Sequence, residues 1–334
     1  MIAGKTAWRR SPVKHRIHLA ALLALASCIA PLHAQWQPER TVEIIAMSGP
    51  GGANDVIARA LQQHLQTQKM IPVPVTVSNR PGAGGVLAWQ YLNQQPATAL
   101  SVSPINLLTE HILGASPLNH MHVTPIAQLF NEYVVFTVKP DSPLRTLNDL
   151  ATRLRADPAA VTFSVAAALG GANHLATALA GKAAGANVRR MKFVVFTSGA
   201  QSLTAAMGGH VDVAVTPLFS AAPQVQAGRL RALGVSSAQR QPGAMSHVPT
   251  WREAGLDVVF SSWRGVIGPK SMTPAQVAYW ENVLARLTRT PEWARELERN
   301  YWEAGYLGSA ETRRQLDAQY AEYRTLLGEL GLAR

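Results

Sequence analysis

Cysteine is nearly absent: Cys28 is the only one in 334 residues, so no disulfide can close within the chain and no multi-thiol metal site can form. Charge is sparse too, at 15% of residues against 47% hydrophobic, a balance that excludes disorder, collagen and coiled coil and leaves material for about two domains. Beyond the first 34 residues no uninterrupted apolar run approaches the ~18 residues of a membrane-spanning helix. Nucleotide signatures are missing as well. The run at Gly82 has Gly84 at the right offset for Gly-x-Gly-x-x-Gly but Leu87 where the third glycine belongs, the loop at Gly49 has Asn54 there, and no P-loop occurs. There is no His-Glu-x-x-His, and the ten histidines are scattered apart from His120 and His122. Gly234-Val235-Ser236-Ser237-Ala238 carries alanine where a nucleophile elbow needs its second glycine. No catalytic residue, metal ligand or cofactor is therefore expected.

What is present begins with a formal net charge of +11. Five of these charges, Lys5, Arg9, Arg10, Lys14 and Arg16, precede an apolar run from Ile17 to Leu32, with a small-residue exit at Ala34. That is the pattern of a secretory signal over residues 1–34, which places the mature chain in the periplasm. The segment holds no acid, so its removal leaves about +6, and the case for a nucleic-acid partner loses its support. The rival reading is a lipobox, Leu25-Ala26-Ser27-Cys28, in which Cys28 becomes a lipidated first residue.

Downstream, short apolar runs alternate with amphipathic stretches: Thr41 to Met47, Asp55 to Leu65, Val73 to Val77, Val86 to Tyr91. This alternation predicts an α/β protein with a largely parallel sheet. Further strands are expected at Leu100 to Val102, Val134 to Val138, Val161 to Val165, Phe193 to Phe196, Val211 to Val215 and Leu230 to Val235, with helices at Leu147 to Arg155, His174 to Ala184 and Ser202 to Met207. From Thr273 the tail reads as consecutive helices opened by Thr273-Pro274, Thr290-Pro291 and Ser309, with Trp280, Trp293, Tyr301 and Trp302 on core faces. Two extended segments, Tyr133 to Lys139 and Asp257 to Trp263, bracket a central block with its own strand and helix alternation. The expected division is a discontinuous lobe of residues 35–135 with 262–334 and an inserted lobe of residues 136–261, joined by two crossings.

Three glycine-rich turns each end a strand and open a helix: Ser48-Gly49-Pro50-Gly51-Gly52-Ala53-Asn54-Asp55, Asn79-Arg80-Pro81-Gly82-Ala83-Gly84-Gly85, and Leu169-Gly170-Gly171-Ala172-Asn173-His174. Glycine lets backbone approach a ligand, and free N–H groups at a helix start favour an anion such as a carboxylate. For any one loop a plain chain reversal is an equal reading; three together favour binding. Gly51-Gly52-Ala53-Asn54 recurs as Gly170-Gly171-Ala172-Asn173 in the same context, one copy in each expected lobe. Asp55 is a candidate that helix-dipole compensation explains as well. Trp263 would border the cleft or serve in packing, and His174 would donate to an anion or cap its turn.

These residues resemble the Bug-type periplasmic solute-binding proteins of tripartite tricarboxylate transporters. The resemblance rests on Pro50-Gly51-Gly52 with Asp55 and Ala58-Arg59, on Asn79 to Gly85, on Pro140-Asp141-Ser142-Pro143 with Leu147, Asp149 and Leu150, and on His174-Leu175. It continues through Gly208-Gly209-His210-Val211-Asp212, Ala227 to Leu233, Val248-Pro249-Thr250 and Glu253-Ala254-Gly255. It implies a type II periplasmic binding protein: two α/β lobes joined by two crossings and a cleft that closes on a small carboxylate. Such a receptor is a monomer without catalytic residues or cofactor that delivers its ligand to membrane permease subunits or reports it to a sensor. The implied ligand contacts are Ser48 and Pro50 to Asp55, Pro81 to Gly85, Ser103, Gly170 to His174, Ser198, Gly199, Thr216 and Trp263. The chain departs from the family pattern at Asn93 to Leu100 and at Phe196-Thr197-Ser198-Gly199, and has Thr216-Pro217 where amine-binding members tend to offer an aspartate. The alternative from another class is a secreted α/β hydrolase, against which the missing triad and metal signatures count.

Overall fold

The computed structural model describes residues 1–4, 36–103, 105–166 and 168–334; residues 5–34 of the expected signal sequence, with its Ala34 exit and the lipobox at Cys28, lie outside the described residues. Two mixed sheets organise the chain from Gln37 to Arg334. The first contains β1 (Val42–Ala46), β2 (Val75–Asn79), β3 (Ala99–Ser103), β4 (Val123–Glu132), β10 (Ser262–Pro269) and β11 (Glu303–Leu307), in the order β11-β4-β10-β3-β1-β2. The second contains β5 (Val134–Val138), β6 (Thr162–Ala166), β7 (Lys192–Phe196), β8 (Val213–Pro217) and β9 (Arg231–Val235), in the order β7-β6-β8-β5-β9.

Each sheet has a parallel trio at one side. β1 pairs in parallel with β2 and β3, and β6 in parallel with β7 and β8. The remaining ladders are antiparallel: β10 with β3 and β4, β11 with β4, and β5 with β8 and β9. The sheets are thus mixed where the alternation of elements predicts largely parallel ones, because the strands on which the chain passes between sheets run against their neighbours. The passage out separates Glu132 from Val134 by one residue, and the return enters β10 at Ser262.

The helices are α1 (Ala53–Thr67), α2 (Val86–Leu92), α3 (Asn106–Ile112), α4 (Leu147–Ala156), α5 (Ala172–Ala183), α6 (Gly199–Met207), α7 (Leu218–Gln226), α8 (Pro274–Leu287), α9 (Pro291–Arg299) and α10 (Ser309–Glu329). Their starts follow local chemistry. Thr146 and Asp149 form a capping box on α4, Thr273 and Gln276 another on α8, and Thr290 caps α9, with proline at the first turn in the last two. Ser309 is not a cap. It is the first residue of α10, behind Gly308, and its hydroxyl donates to Pro125 O at 2.7 Å.

Several elements differ from the sequence reading, among them α3 and α7, for which no helix is expected. The tail is not purely helical, since β11 lies between α9 and α10, and the ten-residue β4 is absent from the expected strands. Trp280 and Trp293 are buried on helices as expected, whereas Tyr301 and Trp302 lie between α9 and β11, where Trp302 stacks on Phe130 at 4.2 Å. One apolar cluster joins Ile105 at the N-cap of α3, Leu108 and Ile112 of α3, Phe136 and Phe163 of the second sheet, Trp263 of β10, and Leu316, Tyr323 and Leu327 of α10. The two α/β halves therefore share apolar packing through α3 and the C-terminal helix. Among the described residues no helix is long and apolar enough to cross a membrane.

Candidate functional site

In both sheets the candidate loops leave the same end of the parallel trio. The first loop follows β1, the second follows β2, and Ser103 ends β3, where it pairs with Gly265. The loops after β6 and β7 and the end of β8 carry Gly170 to His174, Ser198 with Gly199, and Thr216. Carboxyl ends of parallel strands are where open α/β sheets bind ligands.

The repeated Gly-Gly-Ala-Asn has one backbone conformation in both copies. Gly51 and Gly170 are left-handed, at φ +75° and +84°. Gly52 and Gly171 are extended N-cap residues without a side-chain cap, at φ −74° and −69°, and their carbonyls accept from Val56 and Leu175, both at 3.0 Å. Ala53-Asn54 and Ala172-Asn173 open α1 and α5. The shared conformation turns helix N–H groups toward whatever lies before the helix.

Asp55 is spent on the protein's own groups. One carboxylate oxygen accepts from Gly51 N at 2.8 Å and Arg59 Nε at 2.9 Å, the other from Asn79 Nδ2 at 2.8 Å, while Asn79 also reaches Ser48 O at 2.9 Å. Ser48 Oγ accepts from Asp55 N at 3.2 Å. Burial pushes this carboxyl's pKa up, but the bonds from Arg59, Gly51 and Asn79 outweigh it and hold the value below the usual range. Asp55 and Asn79 thus tie the first two loops together and leave the ligand-facing work to backbone.

The second loop runs through four consecutive positive φ angles, from Gly82 at +136° to Gly85 at +112°. A β-carbon on Gly84 would collide with the carboxylate of Glu110, and one on Gly85 would lie 2.5 Å from Met47 Cε. Pro81, Gly82 and Ala83 are exposed. Glu110 is buried on α3, and burial raises its pKa against the hydrogen bond from Asn106 Nδ2 at 3.4 Å. In the other half a β-carbon on Gly171 would lie 3.7 Å from Asn106 Nδ2. Asn106 and Glu110, one helical turn apart, therefore stand between the second loop and the glycine turn of the other half.

His174 is a buried acceptor: its Nδ1 takes the N–H of Gly170 at 3.0 Å and its ring packs edge-on to Phe193 at 4.5 Å, so burial lowers its pKa to about 4. It is neutral and closes its own turn. Ser198 caps α6 by accepting from Gln201 N at 3.3 Å, and Gly199 leaves room for Thr216, whose methyl lies 3.7 Å from the place a β-carbon would take. Thr216 is fully buried with Oγ1 unpartnered. Trp263 is 1% exposed, inside the shared apolar cluster, with Nε1 unpartnered.

Sequence reasoning passed over four residues here, Asn106, Glu110, Glu132 and Arg264. Glu132 ends β4 and Arg264 is the third residue of β10; they form a buried ion pair, and Arg264 Nη1 donates to Asn54 Oδ1 at 3.4 Å. The available signal was a charge within a strand whose every residue is buried. A separate groove of about 440 Å³, lined by Ser237, Arg240, Tyr301, Trp302 and Glu303 among others, shares no residue with the loops. No group of three or more potential metal ligands occurs among the described residues.

The profile of the tripartite tricarboxylate transporter family receptor matches residues 57–332. Among named relatives, BugT of Bordetella pertussis is 27% identical over 263 residues, covering 77% of this chain and 78% of that protein. A protein of Cupriavidus necator from the gbd 5' region is 26% identical over 318 residues, covering 94% of each. Among solved structures, an R. palustris protein with adipate aligns with TM-score 0.80 at 24% identity, over 89% of this chain and 99% of that one. MatC of Rhodopseudomonas palustris with bound malate aligns at 0.75 and 20% identity, over 87% and 99%. The periplasmic binding protein BugD aligns at 0.77 and 20% identity, over 89% and 99%.

Proposed function

Because the chain belongs to the tripartite tricarboxylate transporter receptor family, a family of solute-binding proteins, we propose that it captures a small organic acid between its two α/β lobes and presents it to membrane permease subunits. The lobes in this reading are residues 35–135 with 262–334 and residues 136–261, and the chain acts in the periplasm after losing its first 34 residues. One carboxylate of the ligand is held by N–H groups at the starts of α1 and α5 and along Pro81 to Gly85, and the lobes close over it about the two passages between sheets. Ser198 and Gly199, at the start of α6, complete the polar lining, with the ends of β3 at Ser103 and of β8 at Thr216 behind it.

The observation that carries this reading is the duplicated Gly-Gly-Ala-Asn helix opening, identical in backbone in the two halves. Asp55 is engaged by Gly51, Arg59 and Asn79 and His174 by Gly170, which leaves the N–H groups of the helix starts, of which Ser48 takes that of Asp55, as the anion-attracting features. A thermal-shift screen tests it with mono-, di- and tricarboxylates including adipate and malate, their amides, amino acids and nucleotides. A ligand at 100 times its Kd stabilises by about 2.7 kcal/mol, a shift of several degrees. The expected result is a shift with a carboxylate and none with its amide; a shift with nucleotides alone, or with no acid, refutes the reading.

A further inference from the structure

Arg264 is the only buried lysine or arginine among the described residues, at 5% relative exposure. It stands where β10 receives the returning chain, at the sheet end from which the first two glycine loops leave. The ladder between β10 and β4 slips beside it: Arg264 pairs with Phe130 but Gly265 pairs with Gln128, so Leu129 is bulged out. A β-carbon on Gly265 would lie 2.5 Å from Ala127 O, so glycine is what lets the bulge close. Bulges of this kind re-aim a neighbouring side chain. Here the guanidinium reaches Asn54, the second residue of α1, immediately after Gly51-Gly52.

Its hydrogen bonding is incomplete. Nη2 meets the carboxylate of Glu132 and Nη1 meets Asn54 Oδ1, but Nε has no partner, and neither has Oε2 of Glu132, itself 2% exposed. A buried ion pair seldom stabilises a fold more than apolar residues of the same volume, and an unpaired N–H in the interior is a net cost. The pair is therefore poorly explained by stability. A planar guanidinium fork is, by contrast, well matched to a carboxylate. Of the other basic side chains of the first two loops, Arg59 is held at the surface by Asp55, and Arg80, half-buried with its own Nε unpartnered, lies with its Cζ 3.3 Å above the Tyr91 ring rather than beside a carboxylate. Backbone N–H groups hold one carboxylate without reading the rest of the molecule.

We propose that Arg264 is a specificity residue that selects ligands carrying a second anionic group, a dicarboxylate over the matching monocarboxylate, with Glu132 holding the guanidinium in place when no ligand is bound. The proposal rests on the carboxylate-receptor reading above. A monoacid leaves the Arg264–Glu132 pair as it is and gains nothing from it. A diacid adds its far carboxylate to the free Nε side of the fork.

The test is calorimetric titration of the purified protein with matched pairs: adipate and hexanoate, malate and 3-hydroxybutyrate, succinate and butyrate. In the pair that binds most tightly the diacid is expected to bind at least tenfold more tightly than the monoacid, and Arg264→Met to lower diacid affinity at least tenfold more than monoacid affinity. Glu132→Gln, which frees the cation from its internal competitor, is expected to widen the ratio; it serves as an independent variant should Arg264→Met not fold. A wild-type ratio near one, equal losses for both ligands in Arg264→Met, or an unchanged or narrowed ratio in Glu132→Gln overturns the proposal while leaving the receptor reading intact. A wild-type protein that binds no carboxylate removes the receptor reading itself.

Discussion

At His174 the ring nitrogen Nδ1 accepts the Gly170 N–H, which the imidazole can do only while that nitrogen is unprotonated. Burial holds its pKa at about 4, against an ordinary value of 6.5. Because the folded value is depressed, the unfolded chain binds the extra proton first as pH falls, so stability is complete above about pH 6.5 and declines toward pH 4. From pH 7 to pH 4 this one group removes about 3 kcal/mol. Urea midpoints measured across that range should fall more steeply in the wild type than in His174→Asn, whose amide oxygen can accept the same N–H without titrating. Equal slopes in the two proteins would show that His174 is not the titrating group. The residue was legible in the sequence as a turn residue opening a helix, but whether its ring donates or accepts was set by the burial of that turn against Phe193.

The element that repays testing is the pair of loops after β1 and β2, which Asp55 and Asn79 tie into one unit. Asp55→Ala removes a buried carboxylate with three donors aimed at it, one of them the Gly51 N–H, and should cost about 2–3 kcal/mol. It should also loosen the Gly51-Gly52 turn and weaken binding of any carboxylate that the thermal screen identifies. Chemical denaturation and titration of the variant check the two effects; a variant with normal stability and lost binding would instead make Asp55 a direct ligand contact. The loops themselves were legible because runs of glycine specify backbone that other residues strain to adopt. β4 was not, because Pro125, Gln128 and Asn131 interrupt its apolar pattern. The sheet tolerates the proline because β11 pairs with β4 only from Asn131 to Gln128 and stops short of Pro125. β11 is a five-residue edge strand, half of it exposed, and leaves almost no periodic trace.

Across the whole molecule, the apolar cluster runs without a break from α3 through α10 to the second sheet, and the end of α10 is tied to the inserted half by Lys182–Glu329 at 2.5 Å and by Arg189 Nε to Glu329 O at 3.0 Å. Both exposed contacts are individually weak. The lobe closure proposed above would slide or open packing along α10, and the arrangement described is expected to match the ligand-bound state. Small-angle scattering should show the radius of gyration falling when a bound carboxylate saturates the protein. No change would mean that the lobes stay closed without ligand and that binding is limited by entry.

The sequence by itself determined the alternation of α and β elements, the places where backbone must turn left-handed, and the family pattern, because each is written in neighbouring residues whose local conformational preferences suffice. The tertiary structure alone decided which side chains are free to meet a ligand. Asp55 is consumed by Asn79 from a second loop, Glu110 is buried beneath Gly84, and Arg264 meets Glu132 and Asn54 across sequence separations of 132 and 210 residues. Such pairings depend on strand order and on the bulge that skips Leu129 in β4, and register between distant strands has no local signature from which to read it.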